Sequence, residues 1–83
     1  MKRMEFYVYV IKSDLDGRLY KGMTSDLKKR LRSHNGGKVK STKGFRPWKI
    51  VRTEVFATEQ EARQRELYLK SGAGRAYLQS LGL

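Results

Sequence analysis

Phe6 to Ile11 is an unbroken run of aromatic and β-branched side chains, which predicts a strand. Ser13 to Gly17 is polar and ends in Asp16-Gly17, a hairpin signal whose glycine takes positive φ. Arg18 to Met23 then returns as a second strand. Thr24 or Ser25 is placed to cap a helix, with Asp26 in its first turn against the dipole. Leu27 and Leu31 share one face of that helix, and Asn35-Gly36-Gly37 is a stop sequence. Residues 36–47 read as a loop, after which Pro47 opens a third strand, Trp48 to Phe56. Thr58-Glu59-Gln60-Glu61 fits a capping box, so a second helix is expected to run to about Lys70. Gly72 and Gly74 interrupt it, and Arg75 to Leu81 reads as a short terminal helix. The order strand, strand, helix, strand, helix, helix predicts an α+β fold: a three-stranded antiparallel sheet with flanking helices.

Eighty-three residues suit one domain spanning 1–83. The absence of cysteine excludes disulfides and thiolate zinc sites and fits a reducing cytoplasm. Met1 to Met4 are too polar and too few for a signal peptide, and no apolar run approaches a membrane span.

Charge changes the picture further. The net charge is +11, and its placement is uneven. From Arg18 to Arg52 there are twelve Lys/Arg and a single acid, Asp26, while the remainder is balanced. A merely solubilising surface mixes its signs. One contiguous basic stretch is the electrostatic footprint of a protein that meets phosphates, so nucleic acid is the expected partner. The cations expected to make contact are Lys21, Lys28, Lys29, Arg32, Lys38, Lys40, Lys43 and Arg46.

On a helical wheel Leu27, Leu31 and His34 fall in a narrow arc with Arg30 at its flank, whereas Lys28, Lys29 and Arg32 point away. Arg30 and His34 therefore border the buried stripe, where a guanidinium suits bidentate contact with phosphate. Each also has a plain reading, an arginine stem over the core and a histidine filling space. Glu66 shares a face with Ala62, Leu69 and Ala73, an apolar setting that is costly for a carboxylate unless it is paired or bound to a cation. Arg30 is one candidate partner, and a hard divalent ion is the other. Tyr9 and Tyr20 sit on adjacent strands and are placed to face one side, with Lys21 facing the other. Gly22 marks a close approach of backbone or ligand. With one histidine and no cysteine, zinc hydrolase and Ser-His-Asp chemistries find no support.

Taken in order, Tyr7-Val8-Tyr9, Tyr20-Lys21-Gly22, Arg30, His34 and Glu66 resemble the GIY-YIG nuclease superfamily over residues 6–80. The likeness is to small stand-alone bacterial proteins related to the nuclease domain of the excinuclease C subunit. It is carried by the run Gly22 to Leu31 with His34-Asn35, by Ser41-Thr42-Lys43-Gly44 and Pro47-Trp48-Lys49, and by Glu61-Ala62 through Glu66 to Lys70. The resemblance implies a metal-dependent endonuclease acting on DNA, with a place in repair or recombination. Tyr9 and Tyr20 match the two motif tyrosines, and the second is a general base or water positioner. Arg30 looks like the arginine that stabilises the scissile phosphate, and His34 matches a polar position near the site. Glu66 looks like the single carboxylate for Mg²⁺ or Mn²⁺. A protein partner or homodimer is implied for specificity, because family nucleases commonly gain it from attached domains. The rival reading is a non-catalytic nucleic-acid-binding module that keeps the fold. The sequence departs from the family pattern at Tyr7, where glycine is usual, at Lys21, where an apolar residue is usual, and in having no asparagine after Asn35.

Overall fold

The computed structural model describes residues 4–83, so the reading of Met1 to Arg3 lies outside it. Strand β1 (Phe6–Ser13) is central, with β2 (Leu19–Thr24) and β3 (Trp48–Phe56) antiparallel on either side. Helix α1 (Leu27–Asn35) follows β2, and a 3₁₀ turn (Lys43–Phe45) interrupts the loop before β3. Helices α2 (Glu59–Lys70) and α3 (Gly72–Ser80) complete the chain. This is the expected α+β order.

Because β1 is covered on both faces, its apolar run is continuous rather than alternating. Val8 and Val10 pack with Ala62, Leu69 and Leu78 under α2 and α3. Tyr9 and Ile11 pack on the opposite face with Trp48, Leu27 and Leu31 under α1. The Asp-Gly turn forms as predicted, with Gly17 at φ 79° and its N–H donating to Ser13 O at 2.9 Å.

Strand β3 changes face partway along. Ile50 opposes Ile11 and Arg52 opposes Val10, so Val51 is an extra residue, a β-bulge. Trp48 therefore lies under α1, whereas Val51 and Phe56 join the core under α2 and α3. Beyond the bulge Glu54 accepts from Arg65 at 2.7 and 3.2 Å and from Arg52 at 3.0 Å, tying β3 to α2. Burial opposes the charge on Glu54, but these guanidiniums hold its carboxyl below the usual range.

Four expectations are corrected. Asp26 is itself the cap of α1, accepting from Lys29 N at 3.0 Å, because the β2 ladder runs on to Thr24. Strand β2 begins at Leu19, since the Arg18 side chain is drawn back to Asp16 at 2.8 Å. Helix α3 begins at Gly72, three residues early, because Ser71 caps it through Gly74 N at 3.2 Å. Ala73 is consequently exposed beyond the break instead of lying on the α2 face, and Gly74 is the buried residue there. No helix among the described residues is long and apolar enough to cross a membrane.

Candidate active site

Tyr9 and Gly22 are direct cross-strand partners. A side chain at Gly22 has no room, because a Cβ there would lie 2.5 Å from the Tyr9 hydroxyl oxygen. The absent side chain lets the buried phenol lie across β2, as the close approach inferred at that glycine requires.

The Tyr9 hydroxyl lies 2.8 Å from His34 Nε2 and accepts from Arg30 Nε at 3.2 Å. His34 Nδ1 lies 2.8 Å from Thr42 Oγ1, and the Thr42 hydroxyl donates to Val39 O at 3.3 Å. The proton directions follow from that last bond. Thr42 directs its one hydrogen at Val39, so it accepts from His34 Nδ1–H. Nε2 is then bare and accepts the Tyr9 hydroxyl proton. The chain therefore runs Arg30 to Tyr9 to His34 to Thr42 to Val39, each group donating to the next.

This network is dry. His34 and Thr42 are fully buried, and every buried side-chain nitrogen and oxygen among the described residues has a partner. Burial, with Arg30 nearby, pushes the His34 pKa down from 6.5 to about 4. Burial likewise raises the Tyr9 pKa, against the pull of the Arg30 hydrogen bond. At neutral pH the imidazole is uncharged and the phenol keeps its proton. Arg30, bonded to Tyr9, has its pKa raised and stays charged.

A stability consequence follows. Unfolded His34 binds a proton below about pH 6.5 and the folded residue only below about 4, so stability present above the first value is lost as pH falls through the second. The shift corresponds to about 3 kcal/mol. Urea midpoints at neutral pH and near pH 4 are expected to differ by less in His34→Gln than in the parent. Equal acid sensitivity in both would count against a buried neutral imidazole.

Tyr20 stands beside this chain, its ring centroid 4.9 Å from that of His34 and 6.4 Å from that of Tyr9. Its hydroxyl helps hold the charge on Arg30, yet closes no full hydrogen bond among the described residues. Glu66, on the helix packed against β1 and β2, is near enough that its charge raises the Tyr9 pKa. Its side chain is 13% exposed, and Oε2 accepts from Lys70 Nζ at 3.1 Å. The suggested Glu66–Arg30 pair does not form, because Arg30 is turned to Tyr9 while Lys70 lies one helical turn from Glu66. The Oε1 atom accepts no hydrogen bond among the described residues. No group of three or more His, Asp or Glu gathers there. A divalent ion at this position would have one protein carboxylate, with waters and phosphate oxygens completing its shell, a pattern Mg²⁺ accepts.

Tyr9, Tyr20, Arg30 and His34 are thus brought together, and Glu66 on α2 lies within electrostatic reach of Tyr9. Lys28, Lys29, Arg32, Lys38, Lys40, Lys43 and Arg46 are all exposed around α1 and the following loop. A groove of about 420 Å³ lined by Thr24, Ser25, Asp26, Lys29, Arg30 and Ser33 shares Arg30 with the site. Lys21 alone lies across the sheet, facing α3.

Sequence reasoning assigned no role to Thr42 and gave Asn35 only that of a helix stop. Thr42 sets the His34 tautomer from a loop with no periodicity, and its hydrogen bonds carry no local sequence signal. Asn35 accepts from Trp48 N at 2.7 Å and donates to Trp48 O at 3.0 Å, an expected helix-stop residue that also holds β3.

The GIY-YIG catalytic domain profile matches residues 5–77. A UPF0213 protein of Bacillus pumilus is 46% identical over 72 residues, covering 86% of this chain and 72% of the relative. One from Streptococcus agalactiae is 39% identical over 79 residues, covering 94% of this chain and 89% of the relative. The solution NMR structure of the UPF0213 protein BH0048 from Bacillus halodurans is similar in fold, with TM-score 0.57 at 36% identity, over 94% of this chain and 85% of that one. A profile match over nearly the whole chain, with relatives 46% and 39% identical over most of it, identifies this chain as a member of the GIY-YIG catalytic domain family.

Proposed function

We propose that the chain is a metal-dependent endonuclease that hydrolyses phosphodiester bonds in DNA. The observation that carries this reading is the hydrogen-bonded Arg30–Tyr9–His34 chain, with the Tyr20 ring beside it and the Glu66 carboxylate within electrostatic reach of Tyr9. A role in DNA repair or recombination and a cytoplasmic setting accord with the family likeness.

Each residue has a part that its surroundings support. Arg30, positioned by Tyr9, presents its remaining N–H groups to a phosphate and offsets the charge that develops there. Tyr20, with its hydroxyl uncommitted, orients the attacking water or accepts its proton. Tyr9 and His34 keep Arg30 in place and exclude water behind it. Glu66 would hold the Mg²⁺ or Mn²⁺, which when bound polarises the phosphoryl oxygen and steadies the leaving oxygen. The exposed cations around α1 anchor the flanking backbone without reading sequence. Specificity then rests on substrate shape, a protein partner or a second copy.

A panel of duplex, flap, branched and single-stranded DNA with Mg²⁺ or Mn²⁺ tests the proposal, with Glu66→Gln as control against contaminating nucleases. Cleavage by the parent alone is expected. No cleavage of any substrate, with salt-sensitive binding retained, would leave the binding-module reading.

Reversing Lys28, Lys29 and Arg32 to Glu is expected to weaken DNA binding without unfolding, since all three are exposed. Affinity plotted against salt on logarithmic axes should lose slope by about 0.9 for each phosphate contact removed. An unchanged slope would exclude α1 as the contact surface.

A further inference from the structure

Lys21 occupies a position where the family pattern carries an apolar residue, and β2 turns it toward the helical layer opposite the tyrosines. There it borders a pocket of about 320 Å³ with Arg75 and Gln79 at its rim and Leu19, Leu78 and Leu83 in its lining. Arg75 is held by a hydrogen bond from Nη1 to Lys70 O at 2.9 Å, which leaves its other N–H groups available. Among the described residues Lys21 has no ion pair, whereas Lys70 is paired with Glu66. Lys21 and Arg75 thus line one partly apolar pocket, and neither is paired with a side-chain carboxylate among the described residues.

We propose that this pocket binds a phosphomonoester group, as carried by a nucleoside 5′-monophosphate or by the 5′-phosphorylated end of a strand. The site lies across the sheet from Tyr9 and Tyr20, and the inference does not depend on the nuclease reading. Three features select this ligand class. A phosphomonoester carries about −1.5 to −2 charges at neutral pH, matching two cations, whereas a phosphodiester carries one. The volume is at the lower end of ligand pockets, roughly 300–1,000 Å³, suited to a small group or a chain end. The leucines offer apolar surface to the part of the ligand beyond the phosphate. Placing a lysine here also has a cost that an anion relieves: burial lowers the Lys21 pKa, and repulsion from Arg75 and Lys70 adds to it.

Amide chemical shifts of the whole chain, titrated with four probes, test the site. The probes are inorganic phosphate, adenosine 5′-monophosphate, and one short strand bearing either a 5′-phosphate or a 5′-hydroxyl. Shifts at Lys21, Arg75 and Gln79 are expected with the phosphate-bearing probes and not with the 5′-hydroxyl strand. Lys21→Ile, which restores the apolar residue, and Arg75→Gln, on the exposed rim, should each weaken phosphomonoester binding at least tenfold. Arg75→Gln should leave duplex affinity unchanged, since it lies outside the α1 surface. Response to the phosphorylated strand but not the free nucleotide assigns the site to strand ends, and the converse to a free nucleotide; either supports the phosphate chemistry. No response at these residues, or parent-like phosphomonoester affinity in both variants, overturns it.

Discussion

Glu66→Gln is expected to abolish divalent-ion binding and cleavage together while leaving the fold almost as stable as before. The amide fills the same space but lacks the charge a hard cation requires. Its stability effect is small because the carboxylate is paired with Lys70, which is 48% exposed and one helical turn away. Such pairs contribute about 0.5 kcal/mol. In a domain of this size that corresponds to a melting shift of about 2–4 °C. A buried Glu66–Arg30 pair would instead have cost about 3–5 kcal/mol on removal of one partner. Melting curves with and without Mg²⁺ or Mn²⁺, beside single-turnover cleavage, read both quantities. A large loss of stability, with no metal dependence in the parent, would assign Glu66 to the architecture instead.

Tyr20→Phe and Tyr9→Phe are expected to fail in different ways. Both rings pack in the same cluster, but only the Tyr9 hydroxyl is committed to buried hydrogen bonds. Removing the Tyr20 hydroxyl should cost turnover about 10²–10⁴-fold, the range for a base or water-orienting group, with little change in stability. Removing the Tyr9 hydroxyl leaves His34 Nε2 without its donor in a dry site. That costs about 1–3 kcal/mol of stability, and Arg30 loses its anchor as well. Single-turnover rates at saturating protein, with urea midpoints, separate chemistry from architecture. Parent-like rates in both variants would sink the catalytic assignment of these tyrosines.

The elements of this fold were largely legible because their signals are local. Strand β3 was read over its true range, and α2 ends where Ser71-Gly72 follows Lys70. The stripe of Leu27, Leu31 and His34 with Arg30 at its flank was legible from helical spacing, as was the outward turn of Lys28, Lys29 and Arg32. What alternation could not give was the change of face at Val51, since a bulge resets the period without leaving a residue type as its mark. The partner of Glu66 carried a local signal that the sequence reading passed over: Lys70 lies four residues on along the same helix, whereas Arg30 belongs to another. Thr42 was missed because a loop hydroxyl has no periodicity to place it.

The Asn35 clamp on Trp48 has a consequence for how a substrate is chosen. Both main-chain groups of Trp48 are held by one side chain at the end of α1, and the Trp48 indole donates to Thr42 O at 2.8 Å. Helix, loop and sheet edge are thereby tied together around His34 and Arg30. On the proposed nuclease reading, a site braced in this way is expected to favour nucleic acid that is already bent, frayed or interrupted, because such strands deform cheaply.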